Sequence, residues 1–220
     1  MSSPQRTEEK QASKDRRERG RRETLTDWAR AQAGAVLTPI ARGLAKLGIH
    51  PNTITIIGML LQVGVGAVFA TGRITLGGWL LVIVGPLDAL DGSLARALGR
   101  KSEFGAFLDS TMDRLSDAAL ISGILIWFVQ QGALPEVVLL LIALVSAMWV
   151  SYIRARAEAL GLSCKVGLLT RLERVTLIIV LAVLGQPTVL AWALAVLSVF
   201  TAVQRIVHVY RVFEREGDPV

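Results

Sequence analysis

Apolar runs long enough to cross a lipid bilayer make up most of the sequence after residue 50. A transmembrane helix needs about 20 mostly apolar residues, and here 52% of the 220 residues are hydrophobic, with a mean hydropathy of +0.51. The runs are, in order, roughly 51–71, 76–98, 105–131, 134–160, 168–185 and 187–213. Because a backbone inside lipid must satisfy its own hydrogen bonds, the sequence predicts an all-α integral membrane protein with six transmembrane helices.

Two polar segments precede the first run. Residues 1–23 mix both signs of charge with few apolar side chains, which predicts a disordered cytoplasmic tail. Residues 24–48 carry apolar side chains at helical spacing with basic residues between them, the pattern of an amphipathic interfacial helix in the headgroup plane. We therefore expect three parts: the tail, the interfacial helix and a six-helix membrane domain, 49–220, that carries the active site.

Basic residues are unevenly divided between the two sets of connections. With the tail in the cytoplasm, the connections on that side contain Arg100, Lys101, Arg154, Arg156, Lys165, Arg171, Arg174, Arg211 and Arg215. The opposite connections contain only Arg73 among lysines and arginines. This asymmetry predicts a multi-pass protein of the cell membrane with both termini cytoplasmic. It also accounts for the net charge of +6 without nucleic-acid binding.

Four aspartates interrupt the second and third runs. Asp88 and Asp91 are three residues apart, and Asp109 and Asp113 are four apart, so each pair projects from one face of a helix. Two such faces, opposed, would form an acidic pocket, and a hard cation such as Mg²⁺ or Mn²⁺ would relieve the repulsion between its carboxylates. We predict a divalent-metal site. One cysteine and two histidines disfavour a zinc site.

Residues between the aspartates suggest what the metal would hold. Gly92 and Gly105 leave each helix bare beside its carboxylates, so a ligand or the other backbone can approach closely. Arg96 follows Asp88 by eight residues and Asp91 by five. A guanidinium beside metal ions is well suited to a diphosphate.

This spacing resembles the signature of the CDP-alcohol phosphotransferase family, D-x-x-D-G-x-x-A-R, eight residues, G-x-x-x-D-x-x-x-D. Its eight fixed positions are matched by Asp88, Asp91, Gly92, Ala95, Arg96, Gly105, Asp109 and Asp113. The resemblance implies that two metal ions, held by the four aspartates, grip the diphosphate of a CDP-linked lipid and stabilise the departing CMP. It further implies that Asp113 is the general base for the acceptor hydroxyl.

Other positions carry further implications of this resemblance. Contacts with the CDP-lipid are expected from His50, Pro51, Asn52, Thr53, Gly92, Arg96 and Ser102. From the residues alone, Asn52 or Thr53 is instead expected to cap the first membrane helix. A homodimer is expected because the family is usually dimeric.

Three arginines near runs four to six could form a pocket for an anionic acceptor: Arg154, Arg174 and Arg205. The alternative is that they anchor the helices at the membrane interface by snorkelling. Together with the stretch TPIARGLAKLGIHPN, they resemble the phosphatidylinositol phosphate synthase branch of the family. That resemblance implies transfer of a phosphatidyl group from CDP-diacylglycerol to inositol phosphate, with these three arginines binding the acceptor phosphate.

Three other functions fit the residues less completely. Within the family, glycerol 3-phosphate is the alternative acceptor, which would give a phosphatidylglycerophosphate synthase. Intramembrane aspartates also occur in cation transporters, and membrane prenyltransferases bind diphosphate through aspartates and metal, but neither class explains the glycines and Arg96. Asp117 continues the stripe of Asp109 and Asp113 beyond the signature, and we expect it to be structural, hydrogen-bonded or paired with Arg114.

Overall fold

The computed structural model describes residues 50–87 and 102–216, together with Gly43 and Leu94. The predictions for the tail and, apart from Gly43, for the interfacial helix therefore lie outside the described residues. So do those for Asp88, Asp91, Gly92 and Arg96.

The described ranges contain six helices and no strand, which confirms the all-α prediction. They are α1 (Pro51–Ala70), α2 (Ile74–Val84), α3 (Glu103–Gln130), α4 (Leu134–Ala159), α5 (Arg171–Val183) and α6 (Pro187–Glu216). Three of them are long and apolar enough to cross a membrane: Pro51–Ala70, Leu134–Ala159 and Pro187–Glu214. Six transmembrane helices remain a prediction, since α2 and α5 are short and α3 carries charged residues.

The ends of these helices follow from local chemistry. His50 caps α1, because its Nδ1 accepts a hydrogen bond from the backbone N–H of Asn52 at 3.2 Å; the expected cap by Asn52 or Thr53 was wrong. Ser102 caps α3, its Oγ accepting from Gly105 N–H at 2.9 Å, as polar N-caps do. In the predicted run 168–185, α5 begins only at Arg171, because residues 160–170 form a loop.

Neighbouring helices pack in a bundle. α1 packs on α3 and α2, α4 packs on α6 and α3, and α5 packs on α2 and α6. The crossing of α1 and α3 is close, since a Cβ added to Gly123 would lie 2.0 Å from the carbonyl oxygen of Gly66. Only glycine lets the two backbones approach so closely.

The apolar core lies between the helices, and the outer surface is also apolar. Fully buried core residues include Phe69, Leu81, Leu120, Ile124, Leu140, Ile178 and Leu194. Large apolar side chains such as Ile83, Leu134 and Leu184 are exposed on the outside. An outer surface of this kind fits lipid rather than water as its surroundings.

Candidate functional site

A charged cavity of about 360 Å³ lies among α3, α4, α5 and α6. It is lined by Asp109, Ser110, Asp113, Arg114, Asp117, Val150, Ser151, Arg154, Ala155, Glu158, Thr170, Arg171, Arg174 and Arg205. The structure thus brings two aspartates of the signature together with all three arginines predicted to bind the acceptor. Their assigned roles remain predictions.

α3 contributes a stripe of carboxylates at four-residue spacing, Asp109, Asp113 and Asp117. Asp117 is buried, and its Oδ2 lies 3.4 Å from Nη2 of Arg174. Oδ1 of Asp113 lies 3.0 Å from Nη1 of Arg171, whose Nε is 3.9 Å from Oδ1 of Asp117. The expected structural role of Asp117 thus takes the form of ion pairs with two arginines of α5, while Arg114 donates to the carbonyl oxygen of Ser110.

Arg174 stands in the first turn of α5 with only 2% of its surface exposed. Its Nε is buried and, among the residues that the structure describes, has no hydrogen-bond partner. Buried N–H groups are nearly always satisfied, so one that is not calls for a ligand or a bound water. Since Arg174 also lines the cavity, the missing partner fits an anion bound there.

Arg205 is buried on α6 and donates two hydrogen bonds to backbone carbonyls. Its Nε donates to the carbonyl oxygen of Val166 at 2.9 Å, and its Nη1 to that of Val150 at 2.5 Å. These bonds join α6 to α4 and to the loop 160–170. Arg205 therefore shapes the wall of the cavity in addition to lining it.

The loop 160–170 is held against α6 at further points. Thr201 accepts a hydrogen bond from Leu169 N–H at 3.0 Å, and Gly167 has a φ of +146°. A Cβ at Gly167 would lie 2.9 Å from Cγ2 of Thr201, so glycine suits both the backbone conformation and the space. Cys164, in the same loop, is fully buried, and this burial raises the pKa of its thiol above the ordinary value of 9.0, against a lowering by Arg205 and Arg154.

Arg154 differs from the other two arginines in its exposure. Its side chain is 47% exposed, and its Nε donates to Oε1 of Glu158 at 2.8 Å on the same helix. Ion pairs this exposed contribute little to stability. Arg154 is therefore the one arginine of the three that solvent reaches readily, and a ligand entering the cavity would meet it there.

Two of the residues predicted to bind the CDP-lipid meet where α1 and α3 begin. A Cβ added to Gly105 would lie 3.0 Å from Ser102 Oγ and 3.5 Å from Asn52 Oδ1. Gly105 therefore keeps a small polar surface open between the two helix starts. His50 and Thr53 are exposed nearby and Pro51 is buried in the first turn of α1.

Two of the four aspartates predicted to hold the metal ions, Asp109 and Asp113, lie in the described part of the chain. Among the described residues, no group of three or more histidine, cysteine, aspartate or glutamate side chains is placed to hold a metal ion. Asp109 and Asp113 line one cavity, and their carboxylate oxygens fit a hard divalent cation. Asp88 and Asp91, which would complete the set, lie outside the described part of the chain.

Sequence reasoning missed Arg171, Glu158, Ser151 and Thr170 as lining residues of the cavity. Arg171 had a usable signal, because it precedes Arg174 by three residues and so shares its helix face. Glu158 follows Arg154 by four residues in the same way. The two hydroxyl residues have no spacing that could have marked them.

Comparison with known proteins gives consistent matches. The sequence model described as CDP-alcohol phosphatidyltransferase matches residues 48–204. A phosphatidylinositol phosphate synthase from Mycobacterium tuberculosis (strain ATCC 25618 / H37Rv) is 41% identical over 194 residues, covering 81% of this chain and 87% of that protein. An archaetidylinositol phosphate synthase from Methanothermobacter thermautotrophicus is 36% identical over 196 residues, covering 86% of this chain and 96% of that protein.

Solved structures of similar fold point the same way. A crystal structure of Mycobacterium tuberculosis phosphatidylinositol phosphate synthase with CDP-DAG bound superposes with a TM-score of 0.75 at 37% identity, covering 80% of this chain and 94% of that one. Another crystal structure of that synthase, in complex with manganese and citrate, has a TM-score of 0.74 at 37% identity and covers 79% of this chain and 88% of that one.

Proposed function

The chain belongs to the CDP-alcohol phosphatidyltransferase family, and we propose that it transfers a phosphatidyl group from CDP-diacylglycerol to inositol phosphate and releases CMP. Relatives that share about two fifths of their residues over most of the chain are phosphatidylinositol phosphate synthases. One such synthase has been solved with CDP-DAG bound. Family membership and three membrane-length apolar helices make the chain a membrane protein.

The observation that carries the acceptor assignment is the buried Nε of Arg174, which has no partner among the described residues and belongs to a residue of the charged cavity. A phosphate oxygen would satisfy this N–H and add a charge-assisted hydrogen bond. Arg154 and Arg205 line the same cavity and complete the acceptor-phosphate site. The carboxylates of α3 that line the same cavity would then face the polyol part of the acceptor.

The proposed reaction is a substitution at the phosphorus of the phosphatidyl group. Asp113, as general base, takes the proton of the acceptor hydroxyl. The acceptor oxygen forms a bond to the phosphorus of the phosphatidyl group, and the bond from that phosphorus to the CMP oxygen breaks, its electron pair leaving with CMP. Two divalent ions, Mg²⁺ or Mn²⁺, held by Asp88, Asp91, Asp109 and Asp113, would lower the charge on the diphosphate.

The donor site is proposed from the family signature and the two helix starts. Asn52 and Ser102 beside Gly105, with His50, Pro51 and Thr53, would contact the CDP-lipid. Gly92 and Arg96 would complete this site. We propose six transmembrane helices with both termini in the cytoplasm, an arrangement that presents the cavity to a soluble acceptor. We also propose that the protein is a homodimer.

The alternatives are less well supported. The names of both reported synthases refer to inositol phosphate products, which does not favour glycerol 3-phosphate as the acceptor. Family membership leaves a cation transporter without support.

Acceptor competition tests the proposal. Purified protein in lipid, with CDP-diacylglycerol and Mg²⁺ or Mn²⁺, is offered inositol phosphate, glycerol 3-phosphate, free inositol and serine in separate reactions. CMP release and the mass of the lipid product are measured. Of the four acceptors, we expect only inositol phosphate to give rapid CMP release. Efficient use of glycerol 3-phosphate in its place would overturn the acceptor assignment, and absence of CMP with every acceptor would contradict the transferase assignment.

A further inference from the structure

Arg171 is a charged residue of the cavity to which neither the signature nor the acceptor site assigns a role. It begins α5, and it faces two carboxylates of α3: Nη1 is 3.0 Å from Oδ1 of Asp113, and Nε is 3.9 Å from Oδ1 of Asp117. Asp117 in turn pairs with Arg174 at 3.4 Å. An unbroken line of alternating charges therefore runs from Asp113 through Arg171 and Asp117 to Arg174.

We propose that Arg171 is a positioning residue that orients the Asp113 carboxylate toward the acceptor hydroxyl. It also keeps this carboxylate at a fixed distance from Arg174, the proposed phosphate ligand. This inference rests on the proposed function. It concerns how the protein fixes the distance between the two ends of the acceptor, the phosphate held by Arg174 and the hydroxyl that loses its proton to Asp113.

The two ion pairs at the ends of this line differ in solvent exposure. The Asp117 and Arg174 side chains are 4% and 2% exposed, whereas those of Asp113 and Arg171 are 21% and 24% exposed. Breaking a buried ion pair is costly because it strands a charge, so the Asp117–Arg174 pair is a firm anchor. Arg171 extends from that anchor to the carboxylate that solvent and substrate can reach.

The shape of arginine explains why this residue fits the position. Asp113 and Asp117 are successive residues on one face of α3, about 6 Å apart. The guanidinium fork presents donors in fixed directions, whereas a lysine ammonium is a single point charge. Here Nη1 is within hydrogen-bond distance of Asp113, and the 3.9 Å from Nε to Asp117 is an ion-pair contact rather than a hydrogen bond. A carboxylate held in this way loses the freedom to rotate out of line with the acceptor hydroxyl.

The other arginines of the cavity contact other groups, and Arg114 donates to the carbonyl oxygen of Ser110. Arg205 donates to the backbone of Val150 and Val166, and Arg154 donates to Glu158. Arg174 has the buried Nε that fits a phosphate. Arg171 contacts the predicted general base directly, with its Nη1 3.0 Å from Oδ1 of Asp113.

The test compares three variants of matched charge. Arg171→Gln removes the positioning charge, Arg174→Gln removes the proposed phosphate ligand, and Lys165→Gln removes an exposed charge from the neighbouring loop, away from the cavity lining. For each, kcat and the acceptor KM are measured by CMP release. The acceptor Kd is measured by calorimetry with inositol phosphate in the absence of CDP-lipid, and thermal unfolding reports the folded state.

A positioning role predicts a split between these parameters. Arg171→Gln is expected to lower kcat about 100-fold, the effect of a misplacement of about 1 Å, with acceptor KM and Kd within about threefold of the parent. Arg174→Gln should weaken acceptor binding instead, and Lys165→Gln should match the parent. Arg171→Lys, which preserves the charge but not the planar guanidinium, should recover part of the lost kcat. If Arg171→Gln does not fold, the kcat and acceptor Kd of Arg171→Lys provide the test instead.

Several results would overturn the inference. A rise in acceptor Kd for Arg171→Gln equal to that for Arg174→Gln would make Arg171 a direct phosphate ligand. A kcat within threefold of the parent, or full activity in Arg171→Lys, would show that no oriented fork is needed. If the parent prefers another acceptor, the acceptor assignment falls, but the same split measured with that acceptor still decides the role of Arg171.

Discussion

The two halves of α3 contain the clearest contrast in the molecule. From Glu103 to Asp117 the helix carries three aspartates that line the charged cavity. From Leu120 to Phe128 its inward side chains, Leu120, Ile121, Ile124 and Phe128, are buried in the apolar core. One continuous helix therefore joins a charged segment that lines the cavity to an apolar segment that packs in the core.

The contrast shows how a charged site can be held inside an apolar bundle. The polar half is costly to bury, and its buried aspartate, Asp117, pairs with Arg171 and Arg174 of α5, because an uncompensated charge at membrane depth is costly. The apolar half has no such partners and instead crosses α1 at Gly66 and Gly123. Changes in the first half should therefore affect catalysis, and changes in the second half should affect stability.

The largest effect is expected from Asp109→Asn, in the polar half. Losing a formal charge from the predicted carboxylate cluster should weaken metal and diphosphate binding together and reduce turnover about 10³-fold or more, equal to about 4 kcal/mol. CMP release at saturating Mg²⁺ measures this. Glu136→Gln, a half-buried change at the start of α4 and outside the cavity lining, is the matched control and should retain parental activity. Substantial activity of Asp109→Asn would contradict the two-metal hypothesis.

The next effect concerns the arginines that face the polar half. Arg174→Gln removes a charge-assisted hydrogen bond of about 1.5–3 kcal/mol, so the KM for inositol phosphate should rise by about tenfold or more. The KM for CDP-diacylglycerol should stay nearly constant. Arg154→Gln should have a smaller effect in the same direction, because that side chain is 47% exposed and already pairs with Glu158.

The snorkelling alternative makes an opposite prediction for the same two variants. If these arginines only anchor the helices, membrane insertion or yield would fall and both KM values would be unchanged. Free inositol serves as the acceptor control, since it lacks the phosphate. It should be a poor acceptor for the parent and should lose little further in either variant.

In the apolar half, glycine substitutions should separate stability from catalysis. A Cβ at Gly123 would lie 2.0 Å from Gly66 O, whereas one at Gly64 meets nothing within 4 Å. Gly123→Ala should therefore lower the free energy of unfolding by about 1–3 kcal/mol, through overpacking, with kcat per folded molecule unchanged. Gly64→Ala should be neutral or slightly stabilising. Thermal unfolding in detergent compares the two, and an equal loss in both would mean that the crossing is not tight.

The smallest effect concerns the loop beside the cavity. Burial raises the pKa of the Cys164 thiol above 9.0, so the thiol stays protonated at pH 7–8 and should react slowly with a maleimide. The rate should rise with pH, as the thiolate fraction increases, yet stay below that of the denatured protein. Mass spectrometry counts the labelled fraction. Thr201→Val removes the hydroxyl that accepts from Leu169 N–H and should speed labelling; an unchanged rate would show that this bond does not close the loop.

The sequence by itself determined the helical class, the approximate positions of the helices and the family. Apolar length and periodicity are local properties, so α1, α4 and α6 begin within a residue of the predicted runs 51–71, 134–160 and 187–213. The family followed from residues at fixed offsets within one segment, which need no knowledge of folding. The start of α5 was predicted three residues too early, because the loop 160–170 is held by α6, far away in the sequence.

Only the tertiary structure decided which charges meet. Arg171 and Asp113 are separated by 58 residues, and Arg205 reaches the carbonyl of Val150 across 55 residues; such pairs depend on how each helix is rotated and packed. From the sequence, the three arginines predicted to bind the acceptor share one hypothesis and one alternative, snorkelling. The structure separates them: it leaves Arg154 half-exposed, gives Arg174 a buried donor without a described partner, and has Arg205 donate to two backbone carbonyls. Burial and partner choice are properties of the packed bundle, because lipid and neighbouring helices, not the residue types, set the cost of leaving a charge alone.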